Sequence, residues 1–338
     1  MPEPEQIHTD AQPAPAPEAR AVVPTTTLEP VGAAAPAGEP TTAVRDEGRG
    51  RLGIFGWSAI VWLVLVVALA LLVPVLPLDE PNEIDALCAR QGFGTEGHVL
   101  GCDGLGRDLL SRITWGARAS LLIGVASIGL GFLVGGLLGL AAGYFRRRVD
   151  TVLTGLFDVL LSFPQLILAL TLVTVFATGG GVSGAEGGVG GVSSTRRIVV
   201  LILALGLVSV PLLGRITRAN TLAWSQREFV LAARAVGVRD RRIMFTEVLP
   251  NVLPAMFSIA LLGVAIVIVA EGGLSLLGVG VQLPTPSWGN IISEGRTDLR
   301  SAPHIVMYPT IVIFLTVLAL NYLGDVVRAR FDVRESAL

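Results

Sequence analysis

Three carboxylic acids lie within or beside long apolar segments of this chain: Asp158, Glu271 and Asp325. An ionisable side chain inside an apolar layer is costly, and it commonly serves a polar pathway or a charge pair. Asp158 and Asp325 fall near the ends of their segments, where hydration or an arginine partner would satisfy them. Glu271 lies deeper. Glu271 and Asp158 are therefore candidates for lining a pathway, with a structural role as the alternative for each.

The sequence offers little other chemistry. All 25 basic residues are arginine, and no lysine occurs. A glycine-rich phosphate loop needs its lysine to reach the nucleotide, so any ATP that powers this protein must be hydrolysed by another polypeptide. No nucleophile, histidine and acid stand at a plausible helical spacing. The chain is therefore predicted not to be an enzyme, and no metal, cofactor or nucleic acid is expected.

A polar segment at residues 226–251 separates two long apolar runs. Four of its residues fall at positions i, i+3, i+4 and i+7, which predicts a short helix with these residues on one face: Phe229, Ala232, Ala233 and Val236. Gly237 would end this helix. Two alanines in the middle of a helical face permit close contact, so the segment is predicted to bind a partner.

The elements that would position these residues are membrane-spanning helices. Of the 338 residues, 52 % are apolar and 15 % charged, which is too apolar for a soluble domain. Continuous apolar runs of about 20 residues favour helices over a β-barrel. Residues 1–50, rich in Pro, Ala and Thr, are predicted to be a disordered cytoplasmic tail before a transmembrane domain at 51–338. The six predicted spans are residues 54–77, 117–143, 151–177, 197–219, 253–278 and 304–326.

The arginines predict how these spans are oriented. If the N-terminus lies in the cytoplasm, 17 of the 25 arginines fall in cytoplasmic segments. Because cytoplasmic loops of membrane proteins carry an excess of basic residues, both termini and the loop at 220–252 are predicted to be cytoplasmic. Trp57 and Trp288 are then predicted to lie at the inner and outer membrane interfaces.

The only two cysteines, Cys88 and Cys102, fall in one predicted outer loop. An oxidising exterior favours a disulfide, which would stabilise the fold by about 3 kcal/mol. Two free thiols are the alternative, and metal binding with His98 has less support because no paired C-x-x-C spacing occurs. The polar residues before the second span could contact a partner or form turns and a helix cap: His98, Asp103, Gly106, Arg107 and Asp108.

The chain resembles a known family over about residues 54–334, and several sequence blocks carry the resemblance. They are HVLGCDGLGRD (98–108), FDVLLSFPQLILAL (157–170), EFVLAARAVG through LPN (228–251), EGGLSLLGVGVQLPTPSWGNIISEG (271–295) and NYLGDVVRARFD (321–332). Together, in this order and spacing, they resemble the inner-membrane permease subunits of peptide-type ATP-binding-cassette (ABC) importers. The resemblance is to the C-type permease of the dipeptide, oligopeptide and nickel group.

The resemblance implies an all-α membrane protein with the six transmembrane helices of the type I ABC importer permease fold. It also implies a cytoplasmic coupling helix that contacts the ATPase. Two residues depart from the family pattern: Leu231 stands where the wider importer pattern has glutamate, and Glu247 where a basic residue or histidine is expected. The residues implied at the ATPase contact are Glu228, Phe229, Ala232, Ala233, Arg234, Gly237, Leu249 and Pro250.

The predicted function is that of a permease subunit in the bacterial inner (plasma) membrane that imports peptides by alternating access. The implied partners are a second, B-type permease, two ATP-binding subunits or one fused ATPase, an extracytoplasmic substrate-binding protein, and membrane lipid. The same machinery for nickel, glutathione or haem-type ligands is the first alternative. A stand-alone channel, a secondary carrier or a membrane scaffold is disfavoured because none of them needs a coupling helix.

Overall fold

The computed structural model of the chain describes residues 53–95, 97–177 and 194–335. The tail predicted at residues 1–50 lies outside the described residues. A π-helical turn spans Met244–Val248 and lies between two α-helices. The α-helices within the described ranges are α1 (Ile54–Leu72), α2 (Leu109–Phe145), α3 (Arg147–Leu161), α4 (Gln165–Ala177), α5 (Ser194–Trp224), α6 (Glu228–Ala235), α7 (Asp240–Ile243), α8 (Leu249–Leu276), α9 (Trp288–Gly295) and α10 (His304–Glu335).

Five helical stretches in the described residues are long and apolar enough to cross a membrane. They are α1 with the short 3-10 turn after it, α2, α5, the stretch Asp240–Leu276 that ends with α8, and α10. The pair α3 and α4 makes a sixth if it is counted as one bent span. The prediction of an all-α membrane fold is confirmed.

The third predicted span, residues 151–177, is not one straight helix. Helices α3 and α4 meet at an angle of 83° across a short break. Pro164 lies in this break, where its ring removes a backbone donor and disfavours helical geometry at Phe163. Helix α2 also differs from its prediction, because it begins at Leu109 rather than at 117. Its start is set by Asp108, whose side chain accepts a hydrogen bond from the Ser111 amide at 2.6 Å.

Glycines spaced four residues apart bring α2 and α5 together. A Cβ atom on Gly139 would lie 2.2 Å from the carbonyl oxygen of Gly214, and one on Gly135 would lie 2.4 Å from that of Val210. A Cβ on Gly143 would come within 2.7 Å of backbone or side-chain atoms of α5. The two helices therefore touch backbone to backbone, which is the small-residue contact that favours association of membrane helices.

Helix α2 runs between two ends of the protein that differ in character. The end where α2 stops is called the α6 end, and it holds a buried apolar cluster of Leu140, Tyr144, Val230, Ile243, Met244, Val248, Val252 and Met256. The end where α2 starts is called the disulfide end, and it holds the α1–α2 loop and α9. The main apolar core, with Ile123, Ile268 and Trp288 fully buried, forms a separate cluster.

Candidate functional site

Helix α6 carries most of the residues predicted to contact a partner. It begins at Glu228, whose carboxylate complements the positive N-terminal end of the helix. It stops before Gly237, which has a φ of +83°, a conformation that glycine adopts without strain. The amides of Gly237 and Val238 donate to the carbonyls of Arg234 and Ala233 at 3.0 and 3.1 Å and close the helix end.

The two faces of α6 are not divided as the sequence pattern predicts. Val230 is fully buried, and Ala233, one turn later, is half-buried against the same cluster. Ala232 and Val236 are exposed, and Phe229 is 40 % exposed. Residues three apart share a side of a helix, so Ala233 follows Val230 inward. The prediction that Ala232 and Ala233 form one docking surface therefore needs correction, because only Ala232 lies on the free side.

Polar and aromatic contacts join α6 to the membrane helices. The Tyr144 hydroxyl at the end of α2 donates to the Asp240 carboxylate at 2.7 Å. The Arg234 guanidinium lies 5.0 Å from the centre of the Tyr144 ring and 3.7 Å from Asp240. At the start of α6, the Arg227 guanidinium lies 5.2 Å from the ring of Trp224, the last residue of α5. The free face of α6 is thus presented by a helix that is attached to α2, α5 and α7.

The remaining predicted contact residues lie at the start of α8. Leu249 is half-buried against the α6-end cluster, and Pro250 is exposed in the first helical turn. The two residues that depart from the family pattern, Leu231 and Glu247, are both exposed. Sequence reasoning missed Val230, Tyr144 and Asp240, although the i, i+3 spacing of Val230 and Ala233 offered a signal for the inward face.

Glu271, the candidate pathway residue of α8, is enclosed and only 1 % exposed. Its carboxylate accepts hydrogen bonds from the hydroxyls of Ser275 and Ser287 at 2.8 and 2.9 Å, and the Ser120 hydroxyl lies at 3.4 Å. Ser287 also caps α9, since its side chain accepts from the Asn290 amide. In this conformation Glu271 holds the start of α9 against α8 and α2. This is a structural role, which was the alternative to lining a pathway.

Trp288, at the start of α9, is also enclosed. Its amide donates to the Ser120 hydroxyl at 3.1 Å and its ring N–H to the Ile113 carbonyl at 3.0 Å. Trp288 therefore faces the inside of the protein rather than lipid, and its depth at the outer interface stays a prediction. Its ring fills space between α2 and α9, where both of its polar hydrogens have acceptors.

The other two acids are exposed. Asp158 on α3 accepts a hydrogen bond from Arg215 on α5, and both side chains are about half exposed. This is the arginine pairing named as the alternative to a pathway role. Asp325 is exposed on α10.

A network of four charged side chains occupies the disulfide end. Asp103 accepts from Arg107 at 2.7 Å and from Arg112, while Glu294 of α9 accepts from the same two arginines at 2.5 and 3.0 Å. Asp103, Arg107 and Arg112 are almost completely buried. Burial raises the pKa of Asp103, but the Arg107 amide and the charges of Arg112 and Arg107 outweigh it and hold that pKa below its ordinary value of 3.8.

A disulfide bond joins two parts of the α1–α2 loop, which carries two residues of this network. Cys88 and Cys102 have their Cα atoms 5.7 Å apart and their sulfur atoms bonded. Gly106 has a φ of +87°, and a Cβ there would lie 2.1 Å from the Asp85 carbonyl oxygen, so only glycine fits. For Asp108, the helix-cap alternative is confirmed. The polar residues before α2 are therefore drawn together around the start of that helix.

A protein-family model described as the binding-protein-dependent transport system inner membrane component matches residues 135–336. The chain belongs to this family. It is 34 % identical over 276 residues to the glutathione transport system permease protein GsiD of Pectobacterium atrosepticum, covering 81 % of this chain and 85 % of that protein. It is 33 % identical over 290 residues to the dipeptide transport system permease protein DppC of Alkalihalophilus pseudofirmus, covering 86 % and 88 %.

The fold agrees with this membership. A chain of the MetNI methionine ABC transporter, solved in inward-facing conformations, superimposes with a TM-score of 0.51 at 19 % identity. The match covers 65 % of this chain and 95 % of that one. The chain is thus a multi-pass inner-membrane permease of the ABC importer class, with the type I permease fold.

Proposed function

We propose that this chain is one of two permease subunits of an ATP-driven importer for peptides. Dipeptides and oligopeptides form the substrate class, together with glutathione, which is a tripeptide. The names of the two curated relatives support this class, because one is a dipeptide permease and the other a glutathione permease. Substrate choice within the class would belong to the extracytoplasmic binding protein that delivers the ligand.

The observation that carries the proposal is the attachment of α6. Driving an inward-to-outward equilibrium from mostly one state to mostly the other takes about 5.5 kcal/mol of differential binding. A partner can transmit that energy only through a surface that is firmly joined to the spans. The contacts of Arg234 with Tyr144 and Asp240 and the burial of Val230 supply this joint. We therefore assign the free face of α6, centred on Ala232, to the ATPase contact.

The same assignment places the α6 end in the cytoplasm, where ATP is available, and the disulfide end outside. The arginine distribution supports this orientation with both termini inside. The absence of lysine from the sequence excludes a lysine-containing phosphate loop in this chain. ATP hydrolysis is therefore assigned to two partner subunits or one fused ATPase.

We assign the contact with a second permease subunit to α4, α5 and α8. These helices border a cavity of about 380 Å³ that is mostly apolar. Gln165 is an exposed polar side chain of its lining, whereas the Ser209 hydroxyl already donates to the Leu205 carbonyl at 2.8 Å. Polar side chains are poorly satisfied by hydrocarbon, so this hollow favours a protein neighbour and a shared translocation pathway over lipid.

The substitution Ala232→Arg tests the proposed ATPase contact. Ala232 is exposed, so the chain should fold and insert normally, whereas a long charged side chain should prevent close approach of the ATPase. We expect at least about a tenfold loss of co-purified ATPase and of ATP-dependent peptide uptake, which corresponds to 1.4 kcal/mol or more. Ala233→Arg is unsuitable, because it would place a charge in the buried cluster.

The matched control is Ala223→Arg, which makes the same change at an exposed alanine of α5 outside α6. It should leave both readouts near those of the unmodified chain. If Ala232→Arg retains normal ATPase binding and uptake, α6 is not the coupling surface and the proposal fails. Uptake assays with dipeptides and glutathione in the same membranes then separate the two substrates.

A further inference from the structure

We propose that the disulfide end holds a divalent transition-metal site whose protein ligands are His98, Asp79 and Asp108. The proposal rests on side chains outside the coupling surface, and it stands whether or not the proposed substrate class is correct. His98 and Asp108 lie just before α2, and Asp79 lies at the start of the same loop. Chain folding thus brings one imidazole and two carboxylates to one point.

The distances between the candidate ligand atoms fit one shared ion. The Nδ1 atom of His98 lies 3.1 Å from the Oδ1 atom of Asp108 and 3.8 Å from the Oδ2 atom of Asp79. All three ligand atoms lie within 4.8 Å of one another. Metal bonds of about 2.0–2.2 Å place neighbouring ligand atoms about 3–4 Å apart. An ion between these three side chains would need only small side-chain adjustments.

The charges around the site also favour a cation. A cavity of about 470 Å³ is lined by Asp79, Glu83, Asp85, Asp108 and His98, together with Ile84 and Gly97. No arginine is among these described lining residues. Four carboxylates around one imidazole, which is only 13 % exposed, leave an excess of negative charge. The cavity also has room for the water molecules that would complete the coordination of an ion.

The candidate ligands are held by neighbouring groups, as ligands of bound metals commonly are. The other carboxylate oxygen of Asp108 accepts from the Ser111 amide at 2.6 Å, which leaves Oδ1 directed at His98. The Ser111 hydroxyl donates to the backbone carbonyl of Asp79 at 2.5 Å. On the far side of the imidazole, the Asp85 Oδ2 atom lies 3.7 Å from Nε2. Asp85 makes no hydrogen bond at this distance, but a shift of less than about 1 Å would let it orient the ring through the nitrogen that does not face the ion.

The donor set indicates the class of metal. One imidazole nitrogen with two carboxylate oxygens suits a borderline divalent ion such as Zn²⁺ or Co²⁺ rather than Cu⁺ or an iron–sulfur cluster. The sulfur atoms of Cys88 and Cys102 are close to His98, but they are bonded to each other and carry no thiolate. The site is therefore a nitrogen and oxygen site, and bound Co²⁺ should lack thiolate charge-transfer absorption.

The test is a titration of the full chain with Co²⁺ and Zn²⁺. The chain is isolated with its partner subunits in lipid nanodiscs through a tag without histidine, so that background binding by the partners cancels between variants. Beyond the ions bound by the partner subunits, we expect each copy of this chain to bind one ion with a dissociation constant of about 10 µM or tighter. His98→Gln should weaken binding at least about 100-fold, and Asp85→Asn about 10-fold.

Asp79→Asn provides a second ligand variant, because Asp108 also caps α2 and a change there would alter the start of that helix as well as the site. The matched controls are His304→Gln and His8→Gln, which replace the other two histidines of the chain and should leave affinity unchanged. Binding weaker than about 1 mM in the unmodified chain would overturn the proposal. So would equal affinities of the unmodified chain and His98→Gln, because the cluster would then be a hydrogen-bonded group without an ion.

Discussion

The two ends of this protein hold their loops by different physical means. At the disulfide end, the α1–α2 loop is held by ionic and covalent links that are mostly buried: the Asp103, Arg107, Arg112 and Glu294 network and the Cys88–Cys102 bond. At the α6 end, a single eight-residue helix rests on one buried valine and a few aromatic contacts. Under the proposed function, the α6 end keeps a free surface for the ATPase, whereas the disulfide end keeps a fixed shape.

The largest expected effect comes from breaking the charged network with Asp103→Asn. This change leaves two buried arginines with one partly exposed carboxylate between them, and it should lower the free energy of unfolding by about 3–5 kcal/mol. Thermal unfolding in detergent measures the loss. Glu80→Gln, which neutralises an exposed acid of the same loop, is the control and should have little effect. An equal, small change in both variants would show that the network contributes no stability.

The Asp103 network also predicts how stability changes with pH. The pKa of Asp103 is lower in the folded chain than in the unfolded one. Asp103 therefore contributes its full share to the free energy of unfolding at pH values above the unfolded pKa near 3.8. That contribution is lost as the pH falls further, through the folded-state pKa. Asp103→Asn should remove this part of the acid sensitivity and leave stability at neutral pH lowered.

A smaller effect is expected from opening the loop at Cys88–Cys102. The bond closes a loop across a separation of 14 residues, and removing it should cost about 3 kcal/mol. Intact-mass analysis after alkylation, with and without a reductant, shows whether the thiols are paired. Cys88→Ser and Cys102→Ser should lower the unfolding temperature by similar amounts. Labelling of both thiols before reduction would contradict the pairing.

The smallest effect is expected at the α6 end, from Val230→Ala. Loss of two buried methyl groups should cost about 2 kcal/mol, and the cost should fall on the attachment of α6 rather than on the main core. Hydrogen exchange should therefore quicken for the amides of α6 while the centre of α2 stays protected. Leu231→Ala, at an exposed position of the same helix, is the control. Faster exchange throughout the chain would show that α6 is part of one cooperative core.

Features that depend on neighbouring residues could be predicted from the sequence. The apolar runs predict the spanning helices, Asp108 predicts the start of α2, and Gly237 predicts the end of α6. Each of these features depends on chemistry within a few residues. The break at Pro164 and the four-residue glycine spacing of α2 were also visible in the sequence. Hydropathy alone does not reveal the break at Pro164, because the run from 151 to 177 stays apolar through the proline.

Features that depend on distant residues could not be predicted in this way. Asp103 and Glu294 share two arginines although 191 residues separate them, and no local pattern indicates such a pairing. Trp288 shows the same limit. A tryptophan in a loop between spans suits a membrane interface, but Ser120 and Ile113 from α2 supply the acceptors that let it be buried.

The backbone contact between α2 and α5 has a mechanical consequence. At the glycine contacts, few side chains lie between the two helices that could change rotamer, so the pair should move as one rigid unit across the membrane. A displacement of α2 and α5 at the α6 end would then be transmitted to the disulfide end at full amplitude. Bending must occur at the joints instead: at the 83° corner between α3 and α4, and at Arg146 and Arg147, which have φ values of +53° and +47°.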